Sequence, residues 1–216
     1  MKTVDTIFLD LDGPLLDGTH RHYSCYRSIL QGAGFEPIDN ETYWRLKRDM
    51  INRRELLALS SANALYDEFL KSWLSVIESA ESLELDVVQP GALDCLHAWK
   101  QQGKRLILVT LRKDAEALQV QLRNKGLSTY LDSVLVCAHE SGGKGKAQAV
   151  LDHLGEKPDS DRSVWVGDTE VDAQAAEILG LDVYLVKNGL RSEAILERLN
   201  CTGVVESIGA FSKHII

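Results

Sequence analysis

Short apolar runs alternate with stretches of helical periodicity along most of this chain. Ile7-Phe8-Leu9, Arg105 to Thr110, Ser133 to Cys137, Ser163 to Val166 and Asp182 to Val186 are brief and nearly continuously apolar. That is the pattern of strands buried on both faces. Between the later runs, helices are predicted over Ala92 to Gln102, Asp114 to Lys125, Lys146 to Leu154, Val171 to Leu179 and Ser192 to Leu199. Gly103, Gly126, Gly155 and Gly180 stand where helix C-caps belong. Strands interleaved with helices predict an α/β fold whose parallel sheet is covered on both faces.

Residues 19–85 break this rhythm. They show helical periodicity over His22 to Gly32, Asn40 to Ser60 and Ala62 to Ser79, with Trp44, Tyr66, Phe69 and Trp73 as apolar anchors and no convincing strand. The chain therefore divides into a core, residues 1–18 plus 86–216, and a helical subdomain, 19–85, inserted after the first strand. No internal repeat or low-complexity segment is present.

Composition narrows the function. Of 216 residues, 44% are hydrophobic and 26% charged, which is ordinary for a globular protein. Asp and Glu number 32 against 24 Lys and Arg, a formal charge of −8. That sign argues against a general nucleic-acid or anionic-membrane partner. It leaves room for a phosphorylated small molecule, because a local cationic site can outweigh the mean charge. Cys25, Cys95, Cys137 and Cys201 lie too far apart for a zinc site or a dense disulfide framework. Free thiols, no signal-peptide pattern and no bilayer-length apolar run predict a cytoplasmic protein; its oligomeric state, monomer or homodimer, stays open.

The densest chemistry begins at Asp10 and Asp12, at the end of the first strand and before Gly13-Pro14. Period-two geometry sends both carboxylates to the same side. The bland reading is a solvated turn. The sharper readings are a site for a hard cation such as Mg²⁺, or a nucleophile with an acid/base partner. Further candidates stand at or beyond other predicted strand ends, the edge where parallel α/β sheets bind ligands. Thr110 ends its strand and could hold a phosphoryl oxygen. Lys144, in the run Gly142-Gly143-Lys144-Gly145-Lys146, could neutralise one, and is favoured over Lys146. Asp168 and Asp172 follow the strand ending at Val166 and lie one helical turn apart. Four carboxylates at one sheet edge imply a divalent cation.

Together Asp10-Leu11-Asp12-Gly13, Thr110, the lysine and Gly167-Asp168-x-x-x-Asp172 resemble the four ordered motifs of the haloacid dehalogenase superfamily. The stretches Gln89-Pro90-Gly91-Ala92 and Val164 to Asp182 are similar to its phosphoglycolate-phosphatase-like branch. The Gly-Gly-Lys-Gly-Lys run is closer to phosphoserine phosphatases. The resemblance implies a Rossmann-like parallel-sheet core with an inserted helical cap that selects the leaving group. It further implies a Mg²⁺-dependent phosphatase acting on a small phosphorylated metabolite. Asp10 would be the nucleophile that becomes an aspartyl phosphate, and Asp12 the acid and then the base. Asp10, the Asp12 carbonyl and Asp168 would bind the metal, with Asp172 beside or behind them. Thr110 and Lys144 would hold the phosphoryl group.

Two positions depart from the family pattern. Pro14 stands where a threonine or similar small residue is usual, and Leu111-Arg112 where an asparagine often follows the threonine. In the insertion, Lys47 and Arg48 are candidate cations for an acidic substrate tail, against a solvated helix face. His20 and His22 read as capping or surface residues, and Arg191-Ser192 as a turn. Rival functions are a phosphomutase sharing the aspartyl phosphate, a signalling receiver domain, and a catalytically idle scaffold. The split acidic pair and the large insertion count against a receiver.

Overall fold

The structure, a computed structural model, describes residues 3–213. In chain order it forms β1 (Thr6–Leu9), β2 (Leu16–Asp17), α1 (Thr19–Gly32), α2 (Asn40–Arg48), α3 (Arg53–Ala58), α4 (Tyr66–Val76) and α5 (Ala80–Glu84). There follow β3 (Val87–Val88), α6 (Ala92–Gln101), β4 (Arg105–Thr110), α7 (Ala115–Asn124), β5 (Ser133–Val136) and α8 (Gly142–Leu154). The remainder is β6 (Ser163–Gly167), α9 (Glu170–Leu179), β7 (Asp182–Val186), α10 (Glu193–Leu196), β8 (Gly203–Val205) and α11 (Ile208–Ser212). The chain divides into two compact units, residues 1–17 with 88–216, and residues 18–87.

The first unit is built on a six-stranded parallel sheet in the order β5-β4-β1-β6-β7-β8. Strand alternation explains its two hydrophobic layers. Ile7, Leu9, Leu106 and Leu108 point to one face, where α6, α7 and α11 cover them with Leu96, Trp99, Leu122 and Phe211. Phe8, Ile107, Val109 and Trp165 point to the other, against Ala147 and Val150 of α8, Ala176 and Leu179 of α9, and Leu196 of α10. Phe8 and Trp165, neighbours across β1 and β6, stack at 5.6 Å. The fold is thus the expected α/β one, with helices on both faces of a parallel sheet.

The second unit is helical and has its own core, centred on Tyr26, Leu30, Tyr43, Leu57 and Phe69. Tyr26 and Tyr43 stack at 4.6 Å, and a buried Arg21–Asp86 ion pair at 2.7 Å ties its first helix to its last residues. Here the sequence pattern overran. The expected helix Asn40 to Ser60 is two helices. Met50 adopts φ 61°, and Asn52 restarts the chain by accepting from the Glu55 N–H at 2.9 Å. The segment Ala62 to Ser79 holds a short 3₁₀ turn before α4, and α5 begins at a second cap, Ser79.

All four cysteines are free. Among the described residues no helix is long and apolar enough to cross a membrane.

Candidate active site

Parallel strands deliver their C-terminal ends to one edge, and register places the chemistry there. Leu9 lies opposite Leu108 of β4 and Val166 of β6. Asp10 is therefore level with Gly167, Leu11 with Thr110 and Asp168, and Asp12 and Arg112 leave the same edge side by side. The turn after β1 is tight. The Gly13 N–H donates to the Leu16 carbonyl, and the Leu15 and Leu16 N–H groups both donate to Leu11. Pro14 is buried in that turn, which closes through its neighbours' N–H groups.

Asp10 accepts two bonds on Oδ1, from the Leu11 N–H at 2.8 Å and from Lys146 Nζ at 2.9 Å. Among the described residues no donor is bonded to Oδ2, so that oxygen is the one able to meet a substrate. Burial pushes the Asp10 pKa up to about 7; Lys146 opposes the rise, and Asp172 and Asp12 add to it.

The lysine is a correction. The sequence favours Lys144, but Lys144 is exposed, whereas Lys146 is 1% exposed and bridges Asp10 and Asp172 Oδ1, the latter at 2.8 Å. The reason is where α8 begins. It starts at Gly142, four residues earlier than expected, and buries Gly143, Lys146, Ala147 and Val150. That spacing of three, four and seven is one helical face, and Lys144 is off it. Gly143 makes the approach possible, since a Cβ there would strike the Val171 carbonyl and Gln174 of α9. Burial works against the Lys146 charge, but the Asp10 and Asp172 carboxylates outweigh it and raise its pKa.

Asp172 is the most heavily bonded of the carboxylates. Its Oδ1 accepts from Lys146 and from Trp165 Nε1 at 3.2 Å. Its Oδ2 accepts from the Asp168 and Thr169 N–H groups, both at 3.2 Å, and from Thr169 Oγ1 at 2.8 Å. Five donors exceed the roughly four lone-pair sites of a carboxylate. Asp172 therefore holds Lys146 and the Asp168 turn in place. Its pKa is lowered despite burial, by Lys146 and by its hydrogen bonds.

Asp168 is the opposite case. It is fully buried; Oδ2 accepts from the Leu190 N–H at 2.5 Å, while Oδ1 has no partner. An orphaned buried carboxylate oxygen costs stability unless something completes it. Burial, then the Asp10 and Asp172 charges, raise its pKa well above the ordinary carboxylate value. Space around it is held open by two glycines. A Cβ on Gly13, which also has φ +93°, or on Gly189 would collide with its side chain.

These residues fit a divalent cation. Asp10, Asp168 and Asp172 have ligand atoms within 4.8 Å of one another. Three carboxylates against the single Lys146 leave a formal charge of −2 when all are ionised. Of the three, Asp168 offers the buried oxygen without a partner, Oδ1. Thr110 is buried at the tip of β4, next to the Asp10 turn.

Asp12 does not join the carboxylate cluster. Its Oδ1 accepts from Arg112 Nη2 at 2.8 Å, and Arg112 is 4% exposed. Sequence reasoning noticed Arg112 only as a departure and assigned it no role. It also missed Glu170 and Arg191, a bidentate pair at 2.6 and 2.7 Å that fastens the loop supplying the Leu190 N–H to Asp168. Partly buried Arg and Glu at the start of a helix and after a strand would have been the only signal.

Comparison with known proteins gives a consistent picture. The family model for haloacid dehalogenase-like hydrolases matches residues 4–180. The chain is 24% identical over 192 residues to the fructose-1-phosphate phosphatase YqaB of Escherichia coli K12, covering 84% of this chain and 95% of that one. It is 27% identical over 199 residues to a phosphoglycolate phosphatase of Cereibacter sphaeroides, covering 86% of each. A haloacid dehalogenase-like hydrolase structure from Streptococcus pneumoniae superposes over the full length of both chains with a TM-score of 0.79 at 17% identity. At that identity the match speaks for the fold alone.

Proposed function

This chain belongs to the haloacid dehalogenase-like hydrolases, and on that premise we propose that it hydrolyses a small phosphomonoester through an aspartyl phosphate on Asp10, with Mg²⁺ as cofactor. Its curated relatives include phosphatases of a sugar phosphate and of phosphoglycolate, which supports an ester of that size.

The observation that carries the reading is the state of Asp10. One oxygen is fixed by Leu11 and Lys146, and the other is left to attack. In the first half-reaction Asp10 Oδ2 attacks phosphorus and the bond to the leaving oxygen breaks. Asp12 supplies the proton that the departing alkoxide needs. In the second, water attacks the phosphorus of the aspartyl phosphate, Asp12 takes its proton, and Asp10 is released with inorganic phosphate. Lys146 holds the Asp10 carboxylate in line throughout, and Thr110 would receive a phosphoryl oxygen. Asp10, Asp168 and the Asp12 backbone carbonyl would hold Mg²⁺, which when bound offsets the charge between carboxylate and phosphate.

Phosphate release and product analysis over a panel of phosphomonoesters, with Mg²⁺ and with EDTA, test this reading. Metal-dependent free phosphate is expected. Isomerised ester without phosphate release would point to a mutase, and turnover unaffected by EDTA would remove Mg²⁺ from the account.

A further inference from the structure

We propose that Trp165 is a positioning residue for the nucleophile Asp10, acting through Asp172 and Lys146. Its indole N–H holds the carboxylate on which the Lys146 ammonium rests, and so fixes where that ammonium meets Asp10. This rests on the nucleophilic role of Asp10 proposed above.

The strand explains how a core tryptophan reaches the site. Along β6, Val164 and Val166 point into one hydrophobic layer and Trp165 into the other, where α8 and α9 pack. Those helices carry Lys146 and Asp172. Trp165 is fully buried and stacks on Phe8 of β1 at 5.6 Å, with 16° between the rings. The indole is thus seated on the two adjacent strands that lead into Asp10 and Asp168. Packing asks for a large apolar ring at this position, not for a nitrogen. Trp99, equally buried in the opposite layer, leaves its Nε1 without a partner among the described residues. Trp165 instead donates to Asp172 Oδ1 at 3.2 Å, the same oxygen that accepts from Lys146 at 2.8 Å. Lys146 Nζ in turn reaches Asp10 Oδ1 at 2.9 Å. Three hydrogen bonds therefore join a rigidly stacked ring to the nucleophile. Donors from β6 and α8 converge on Oδ1, while Thr169 and the Asp168 N–H hold Oδ2, so the Asp172 carboxylate is fixed from several sides. The indole adds a donor without adding a charge that would compete with Lys146 for either carboxylate.

Trp165→Phe removes the N–H and keeps an aromatic ring against Phe8. Its kcat should fall by about tenfold, the scale on which a site residue's supporting partner is commonly felt. KM should change far less, because positioning acts on the reacting geometry rather than on substrate binding. Trp99→Phe makes the same truncation with no bond to lose, and should leave kcat as in wild type. The contact itself is read from the Trp165 indole resonance in proton–nitrogen correlation spectra of metal-free protein. That resonance should move in Lys146→Met, which leaves the indole as the remaining donor to Asp172 Oδ1, and in Asp172→Asn. Lys144→Met should leave it in place. These spectra keep Trp165, so they decide the contact even if Trp165→Phe does not fold. An indole resonance indifferent to Lys146→Met and Asp172→Asn would overturn the proposal. So would a Trp165→Phe enzyme as fast as wild type, or a Trp99→Phe loss equal to that of Trp165→Phe, which would make the effect one of ring packing. If wild type turns over no ester, the fault lies in the functional reading, and this proposal falls with it.

Discussion

Replacing Lys146 with methionine should damage this protein in a way that replacing Lys144 does not. Lys146 is the only positive charge bonded to Asp10 and Asp172 among the described residues, at 2.9 and 2.8 Å. Methionine fills much of the same volume, so the loss is chiefly that of the charge. Breaking a buried ion pair from one side costs about 3–5 kcal/mol. Asp10, with a pKa near 7, can take up a proton and relieve part of this at neutral pH, which places the expected loss near 3 kcal/mol. For a chain of this length that is a melting-temperature drop of roughly 6–12 °C. Thermal unfolding at pH 7.5 without metal would measure it, with Lys144→Met as the control expected to stay within about 0.5 kcal/mol of wild type. The double variant Lys146→Met with Asp10→Asn removes one of the stranded charges and should recover about 1 kcal/mol or more. Equal effects of the two lysine substitutions, or a Lys146→Met protein as stable as wild type, would refute the reasoning.

Two other expectations concern the proposed metal site. Glu170→Gln weakens the clamp with Arg191 that seats the Leu190 N–H on Asp168, and should lower Mg²⁺ affinity by about tenfold or more, as loss of a ligand's supporting partner commonly does. Calorimetric titration with Mg²⁺ reads this directly, and unchanged affinity would count against the clamp. The second expectation is a pH dependence of metal-free stability. Asp10 binds its proton more tightly folded than unfolded, with its pKa raised from 3.8 to about 7, and Asp168 shifts the same way. The Asp10 contribution is complete below pH 4 and is lost as pH rises towards 7, by about 4 kcal/mol at about 1.36 kcal/mol per pH unit. Asp172, with its lowered pKa, loses stability only at still lower pH. Urea midpoints in EDTA should therefore fall between pH 5 and 7.5, and Mg²⁺ should restore more stability at pH 7.5 than at pH 5. Midpoints that rise with pH in EDTA would contradict the assignment.

The sequence disclosed the sheet more fully than the site. β4 and β7 fall where their apolar runs lie, because strands buried on both faces leave an unbroken hydrophobic signature. β8 and α11 went unread: three residues, Gly203–Val205, are too few to show a period. The helical insertion was legible as helical but not in its breaks, since Met50 at φ 61° announces nothing in composition. Within the site, Asp10, Asp12, Thr110, Asp168 and Asp172 could be picked out because each follows a strand or turns with one. What could not be read was the partnering. Lys146 and Lys144 differ by two positions in a glycine-rich run, and only the start of α8 decides which one is buried. The five hydrogen-bond donors around Asp172, from Lys146, Trp165, Asp168 and Thr169, are not visible in its spacing from Asp168. The Arg112–Asp12 pair spans a hundred residues, so nothing local marks it.

The most direct measurement of the central claim is acid-quenched labelling with a phosphorus-radiolabelled ester in the presence of Mg²⁺. The account predicts a hydroxylamine-labile acyl phosphate that maps to Asp10. It should accumulate in Asp12→Asn, where hydrolysis of the intermediate is slowed, and be absent in Asp10→Asn. Label on another residue, or phosphate release that continues undiminished in Asp10→Asn, would contradict it.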